Sequence, residues 1–331
     1  MALSKIVGIK IRGITTALPS NKEDNLKLSE LDLTQRKELV KHTGIRYRRV
    51  AKGEGESVKV LFKTAINKLL ETLDWDRNSI DVLLIVTQTA QSPIPSIACQ
   101  IHGEMDFPSS ALAYDINSGC SGFVYGLHTV SQLLTSLDQQ GKRAILCCGD
   151  VSTDLTEESD MAVKPIFSDA VSAIGIENDS GTESYFNLET FGKGQKAISL
   201  QKNASGTWMR MDGIDVFNYA VKYVPNNIKL LLERYSNPSV VPGMYVFHQA
   251  NLLINKSLMK AIGVDEGAAP NSLYDYGNTA SASIPLTFSL NWPSGKSGWV
   301  LFSGFGVGFS IASALIKIDE IKIAEPEFIN I

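Results

Sequence analysis

"AYDINSGCSGFVYGL", residues 113–127, places one cysteine, Cys120, in a turn of small residues between two apolar segments. The segment before it, "ALAYDI", reads as a short strand. After it, Phe123, Val124, Leu127, Val130 and Leu134 recur at three-to-four spacing, the signature of an amphipathic helix. Cys120 is thereby expected at a helix N-terminus. There, free N–H groups and the positive end of the helix dipole favour thiolate and lower the thiol pKa. The competing reading is an inert packing residue, because free cysteine is among the most buried residue types.

Outward from this point the pattern alternates. "KIVGIKIRGI" reads as an opening strand, and "SIDVLLIVTQT" and "RAILCCGDVS" as buried strands. Cys147 and Cys148 in the last of these read as small core residues. Between them lies a helix whose apolar positions are Val60, Ala65, Leu69 and Leu73. Strands alternating with helices favour a layered α/β fold. Three segments recur in the same order: "IDVLLIVTQTA" with "PGMYVFHQAN", "LAYDINSGCSG" with "SLYDYGNTASAS", and "AILCCGDVS" with "GWVLFSGFGVGFS". The chain reads as two duplicated α/β halves, 1–180 and 181–331, divided near the polar stretch 177–184.

Composition narrows the function classes. A hydrophobic fraction of 44% and a charged fraction of 20% over 331 residues suit a globular protein with a large core. A net charge of −4 argues against a nucleic-acid partner. Lys5, Lys10 and Arg12 interrupt the apolar N-terminal run, so no signal peptide is expected, and no segment has the run of a membrane helix. The four cysteines form no CxxC pair and no metal-ligand spacing, which points to reduced thiols, a cytoplasmic location and no metal.

Three further features can carry chemistry. His248 ends the strand in "GMYVFHQANLL", where it can serve as a neutral donor or a base, or as a satisfied core histidine. Asn278 lies on the Gly-containing turn of "YDYGNTASASIPL", where a helix-cap or turn role competes with a functional one. In "FSGFGVGF", residues 302–309, Gly304, Gly306 and Gly308 alternate with larger residues. The spacing is not that of a dinucleotide loop. It suits backbone that approaches a ligand closely and offers N–H groups to an oxyanion. His42, His102 and His128 have no comparable setting and read as surface or packing residues.

Taken together, "DINSGCSGFVYGL", "VFHQANLLI", "YGNTASASIPL" and "SGFGVGFSIASALI" resemble the four signature segments of the ketoacyl synthase III enzymes, condensing enzymes of the thiolase fold. "HTGIRYRRVA" and "SPIPSIACQIHG" are also similar to segments of that family, and the likeness runs from about residue 5 to 318. The resemblance implies a five-layered αβαβα architecture and a catalytic set of Cys120, His248 and Asn278. It implies an oxyanion hole from the N–H groups of Cys120 and of the Gly306–Val307 peptide, each donor worth about 3 kcal/mol. Cys120 would take an acyl group from a thioester. A malonyl-type thioester would then lose CO2 and condense with it, with no cofactor beyond thioesters of coenzyme A or acyl carrier protein. A homodimer is implied as well.

Several positions depart from the family. Relatives carry a tryptophan that stacks on the adenine of coenzyme A where this chain has Glu38, and a basic residue for carrier-protein docking where it has Leu253. Lys256 and Lys260, one helical turn apart, are candidate substitutes in docking. Val307 interrupts the usual glycine run, and "IFSDAVSAIG" replaces a glycine-richer stretch. Phe305 and Ile94 are the expected acyl-pocket residues. Ile94 sits on a loop that crosses the dimer in relatives, where an aromatic residue can close the pocket floor. These departures favour a specialised pathway over fatty-acid initiation. Transfer to an amine, hydroxyl or second acyl chain is the alternative activity, and a non-catalytic partner subunit the alternative role.

Overall fold

A computed structural model describes residues 2–53, 57–137, 140–237 and 240–331. The chain opens with the long strand β1 (Ala2–Pro19). The short strands β2 (Lys22–Asp24) and β3 (Tyr47–Arg49) flank helix α1 (Leu33–Thr43). Then follow α2 (Ser57–Leu73), β4 (Ile80–Val86), α3 (Ile97–Glu104), β5 (Leu112–Ile116), α4 (Gly122–Ser136), β6 (Arg143–Asp150) and β7 (Ala170–Thr190). A hairpin of β8 (Ile198–Lys202) and β9 (Thr207–Met211) precedes α5 (Gly213–Arg234), β10 (Pro242–Phe247), α6 (Leu252–Ile262), α7 (Leu273–Tyr276) and α8 (Ser283–Asn291). Strands β11 (Gly298–Gly306), β12 (Ser310–Ile318), β13 (Lys322–Ile323) and β14 (Glu327–Ile329) complete the chain.

The main sheet runs β10-β11-β12-β7-β6-β4-β5, with β1 paired to β7. Both ends of this order follow one plan. A parallel pair, β4 with β6 or β10 with β11, is followed by an antiparallel neighbour, β7 or β12. β7 serves both ends: residues 170–177 pair with β6, and residues 184–190 pair with β12. The polar stretch 177–184 lies inside β7, where the register with β1 jumps from Ile9↔Asn178 to Val7↔Glu183. The strand passes from one end of the sheet to the other at that break.

Alternation along the strands builds the layers. Val82, Leu84 and Val86 of β4 face one cluster and Leu83 and Ile85 face another. The central cluster joins both ends of the sheet around α4 and α8, with Phe123 edge-on to Phe302 at 5.4 Å and Phe288 edge-on to it at 5.3 Å. Each such buried ring contributes about 2–3 kcal/mol. Helices α2 and α3 cover one outer face, and α5 and α6 the other. The result is the expected five-layered αβαβα arrangement. On α4 every expected core position is buried. On α2 the expectation fails at Val60, which is 39% exposed, because the buried face runs through Leu61, Phe62, Ala65, Ile66, Leu69 and Leu73. Cys147 and Cys148 are core residues, as the sequence suggested.

Candidate active site

Three loops at strand ends meet above the sheet. Cys120 lies between β5 and α4, in a turn closed by the bond from Gly122 N–H to the Gly119 carbonyl at 2.7 Å. The helix itself starts at Gly122, two residues beyond the thiol. Gly304 and Gly306 of β11 bring backbone against this turn. A Cβ on Gly304 would stand 2.7 Å from Ser121 Cα, and one on Gly306 3.0 Å from Cys120 Cβ and 3.2 Å from its Sγ. The glycines expected to approach a ligand thus first approach the cysteine.

His248 follows β10 directly, buried, with its ring edge-on to Phe305 at 5.3 Å. Its Nδ1 lies 2.8 Å from the Ser283 hydroxyl. The amides that follow it have structural partners. Gln249 donates to the Phe247 carbonyl and accepts from Ser272 N–H, and Asn251 caps α6 by accepting from Ile254 N–H at 2.9 Å. Asn278 is held by its backbone against 166–168, through Asn278 N–H to the Ile166 carbonyl and Ser168 N–H to the Asn278 carbonyl. Its side-chain oxygen accepts from Ala280 N–H at 3.0 Å. The amide oxygen is thereby occupied. The NH2 end is left as a donor.

Cys120, His248, Asn278, Phe305 and Gly306 line one cavity of about 30 Å³. Val307 lines a neighbouring cavity of about 100 Å³ with Gln88, Asn117, Ile198, Leu200 and Met209. The Gly306–Val307 peptide therefore stands between the thiol and a pocket of mixed polar and aliphatic lining. Ile94 lines neither cavity of its own chain and is 82% exposed. Lys256 is exposed and pairs with Glu266 at 3.3 Å, so it is not a free cation, while Lys260 is exposed on the same helix. Glu38 engages Lys41 and His42 on the surface of α1, and Leu253 is 55% exposed.

The electrostatics correct one expectation. The helix start does not lower the Cys120 thiol. Burial, reinforced by the Asp150 charge, pushes it up from its ordinary 9.0 to about 12. Desolvation outweighs a dipole whose effect is at most about 2 kcal/mol and fades within one turn. Burial likewise lowers His248 to about 3. The resting pair is a neutral thiol and a neutral imidazole.

Sequence reading missed Asp150. Its carboxylate ends β6, buried, and accepts from Thr87 Oγ1 at 3.0 Å, Gln88 N–H at 2.6 Å and Thr89 Oγ1 at 3.3 Å, with Ser281 Oγ at 3.4 Å. One side chain thus ties the Gln88 segment, which touches Gly119, to the turn that orients Asn278. Burial raises its pKa against the pull of these donors. The available signal was an aspartate closing an otherwise apolar strand, "AILCCGD".

Comparison with known proteins agrees with this architecture. Residues 114–194 match the family model for 3-oxoacyl-[acyl-carrier-protein] synthase III, and residues 243–318 match that for its C-terminal region. A β-ketoacyl-[acyl-carrier-protein] synthase III of Streptococcus thermophilus is 30% identical over 327 residues, covering 93% of this chain and 99% of the relative. One from Bacillus cereus is 28% identical over 322 residues, with 93% and 97% covered. The crystal structure of a 3-oxoacyl-(acyl-carrier protein) synthase from Burkholderia xenovorans superposes with a TM-score of 0.93 at 28% identity, over 99% of both chains. The chain belongs to the 3-oxoacyl-[acyl-carrier-protein] synthase III family, the acyl-transferring condensing enzymes of the thiolase fold.

Proposed function

We propose that Cys120 is the acyl-accepting nucleophile and that His248 and Asn278 serve the second half-reaction, condensation with a malonyl-type thioester. The observation that carries this reading is the meeting of all three side chains with Gly306 around one cavity. In the first half-reaction Cys120 sulfur bonds to the carbonyl carbon of the donor thioester. The donor C–S bond breaks, and the thiol proton goes to the departing thiolate. The N–H groups of Cys120 and Val307 hold the oxyanion. In the second, the malonyl C–CO2 bond breaks and its electron pair forms an enolate. His248 and Asn278 donate hydrogen bonds to the enolate oxygen. The enolate carbon attacks the acyl-cysteine carbonyl, and the released cysteine thiolate takes a proton from solvent. No step needs a metal or redox cofactor.

The donor is a thioester of acyl carrier protein or coenzyme A. Glu38 and Leu253 support recognition that relies neither on adenine stacking nor on a basic residue at that docking position. Lys260 is the freer of the two candidate docking cations. We place the enzyme in a specialised pathway, in the cytoplasm; among the described residues no helix is long and apolar enough to cross a membrane. A homodimer is supported by β5, an edge strand carrying exposed Leu112, beside the loop that projects Ile94. In that assembly Ile94 would close the partner's acyl pocket, and Phe305 lines the cavity of its own chain.

Intact-protein mass spectrometry with peptide mapping, after incubation with a panel of acyl-coenzyme A and acyl-carrier-protein thioesters, tests the reading. Acyl mass on Cys120, absent in Cys120→Ser, is expected. Acyl transfer persisting in Cys120→Ser would reject the nucleophile.

A further inference from the structure

Ser283 opens α8 and is fully buried. Its oxygen accepts the Gln249 backbone N–H at 3.2 Å and lies 2.8 Å from Nδ1 of His248. A serine hydroxyl has one proton to donate. Among the described residues, Nδ1 is the acceptor in hydrogen-bonding reach of that proton. Had Nδ1 carried a hydrogen, two donors would point at one oxygen and a buried O–H would be left unpaired, which native interiors avoid. A neutral imidazole carries a single hydrogen, so it resides on the other ring nitrogen.

We infer that Ser283 is a positioning residue for condensation: its hydroxyl donates to His248 Nδ1, keeps the ring hydrogen on Nε2, and so presents the ring to the substrate oxygen as a donor. The inference rests on the condensation reading above. Asn278 is handled the same way, its oxygen held by Ala280 N–H so that its NH2 group is presented. Two donors of fixed polarity then face one developing negative charge. The arrangement also removes His248 as a base for the Cys120 thiol, since Nε2 already holds a hydrogen. The Ala280 carbonyl also lies close to the imidazole and offers a ring N–H a partner once the Ser283 hydroxyl is gone.

The test is a nitrogen-15 NMR spectrum of imidazole-labelled protein, with His248 assigned among the chain's four histidines by a His248→Gln variant. The wild type should show a protonated Nε2 and an accepting, unprotonated Nδ1. Ser283→Ala should shift hydrogen towards Nδ1 and slow malonyl-thioester decarboxylation at least about tenfold. Acylation of Cys120 should change less than about threefold, and Ser283→Thr should restore the wild-type spectrum and rate. A wild-type spectrum with hydrogen on Nδ1 overturns the inference, even if Ser283→Ala does not fold. So does a folded Ser283→Ala with unchanged tautomer and unchanged decarboxylation. The spectrum is taken without substrate, so it reads the tautomer whether or not malonyl is the true extender; loss of the condensation reading would appear separately, as no decarboxylation by the wild type.

Discussion

A thiol held at about 12 makes a sharp prediction about its own reactivity. The perturbation is pH, and the assay is alkylation of Cys120 by iodoacetamide in a Cys99→Ser background, which removes the exposed cysteine. Cys147 and Cys148 are buried, and desolvation raises both, so they compete little. Only thiolate reacts. At pH 8 about one Cys120 in ten thousand is ionised, against about a tenth of cysteines at the ordinary 9.0. The rise from 9.0 to about 12 corresponds to about 4 kcal/mol of disfavoured thiolate. The logarithm of the rate should therefore climb with unit slope from pH 6 to pH 10. The small cavity slows reagent access at every pH, so the slope is the readout. Asp150→Asn keeps an acceptor for Gln88 N–H while removing the charge, and should raise the rate at pH 8 roughly threefold or more. A plateau below pH 9 would refute the reasoning. It would show that the helix start governs the thiol after all.

Further outcomes follow from the same geometry. His248 sits near 3 when folded and 6.5 when unfolded, so the unfolded chain binds the extra proton between these values. Its contribution to stability is complete above pH 6.5 and is lost as pH falls towards 3, amounting to up to about 5 kcal/mol; denaturant midpoints of His248→Asn should lose that part of the wild type's acid sensitivity. Gly306→Ala puts a methyl group 3.2 Å from Cys120 Sγ and should cut acyl loading at least about tenfold, read by mass spectrometry, with little change in far-ultraviolet circular dichroism. Arg48 is buried against Glu23, Asn25 and the Phe167 carbonyl, so Arg48→Leu should cost about 3 kcal/mol in chemical unfolding. Ile94→Phe should narrow the accepted acyl chains towards acetyl if that loop floors a partner's pocket; an unchanged acyl profile removes Ile94 from the pocket.

The sequence showed the site where chemistry and local pattern coincide. Cys120, His248 and Asn278 each interrupt an apolar run with a polar turn, and period-two and period-3.6 patterns place those turns at strand ends. It showed the duplicated plan because strand-plus-loop pairs repeat in order. What it hid depends on distance. Ser283 reads as one small residue among several until the fold sets it against His248, 35 positions earlier. Asp150 reads as a strand end until Thr87 and Gln88 arrive from the segment that follows β4. The thiol misled for a related reason: the helix dipole is local and visible in sequence, whereas desolvation is a property of everything packed around Cys120. Val60 failed because it stands five residues before Ala65, off the helical period, while Leu61 and Phe62, four residues before Ala65 and Ile66, took the core.

The pairing of β1 with β7 has a consequence for how the enzyme is made. Val7 pairs with Glu183 and Ile14 with Ile174, so β1 leaves the ribosome more than 150 residues before its partner strand β7. β7 in turn waits for β12, and the last strands β13 and β14 return to Gly13–Ile14 and Ala17–Pro19. Contacts this remote in sequence make folding slow and leave strand edges uncovered during synthesis. Cys120 emerges long before Gly306, so a growing chain carries its thiol before the backbone that closes over it. The nascent enzyme is at that stage a target for chaperones and oxidants, and catalysis waits until β11 has been released and packed against the cysteine turn.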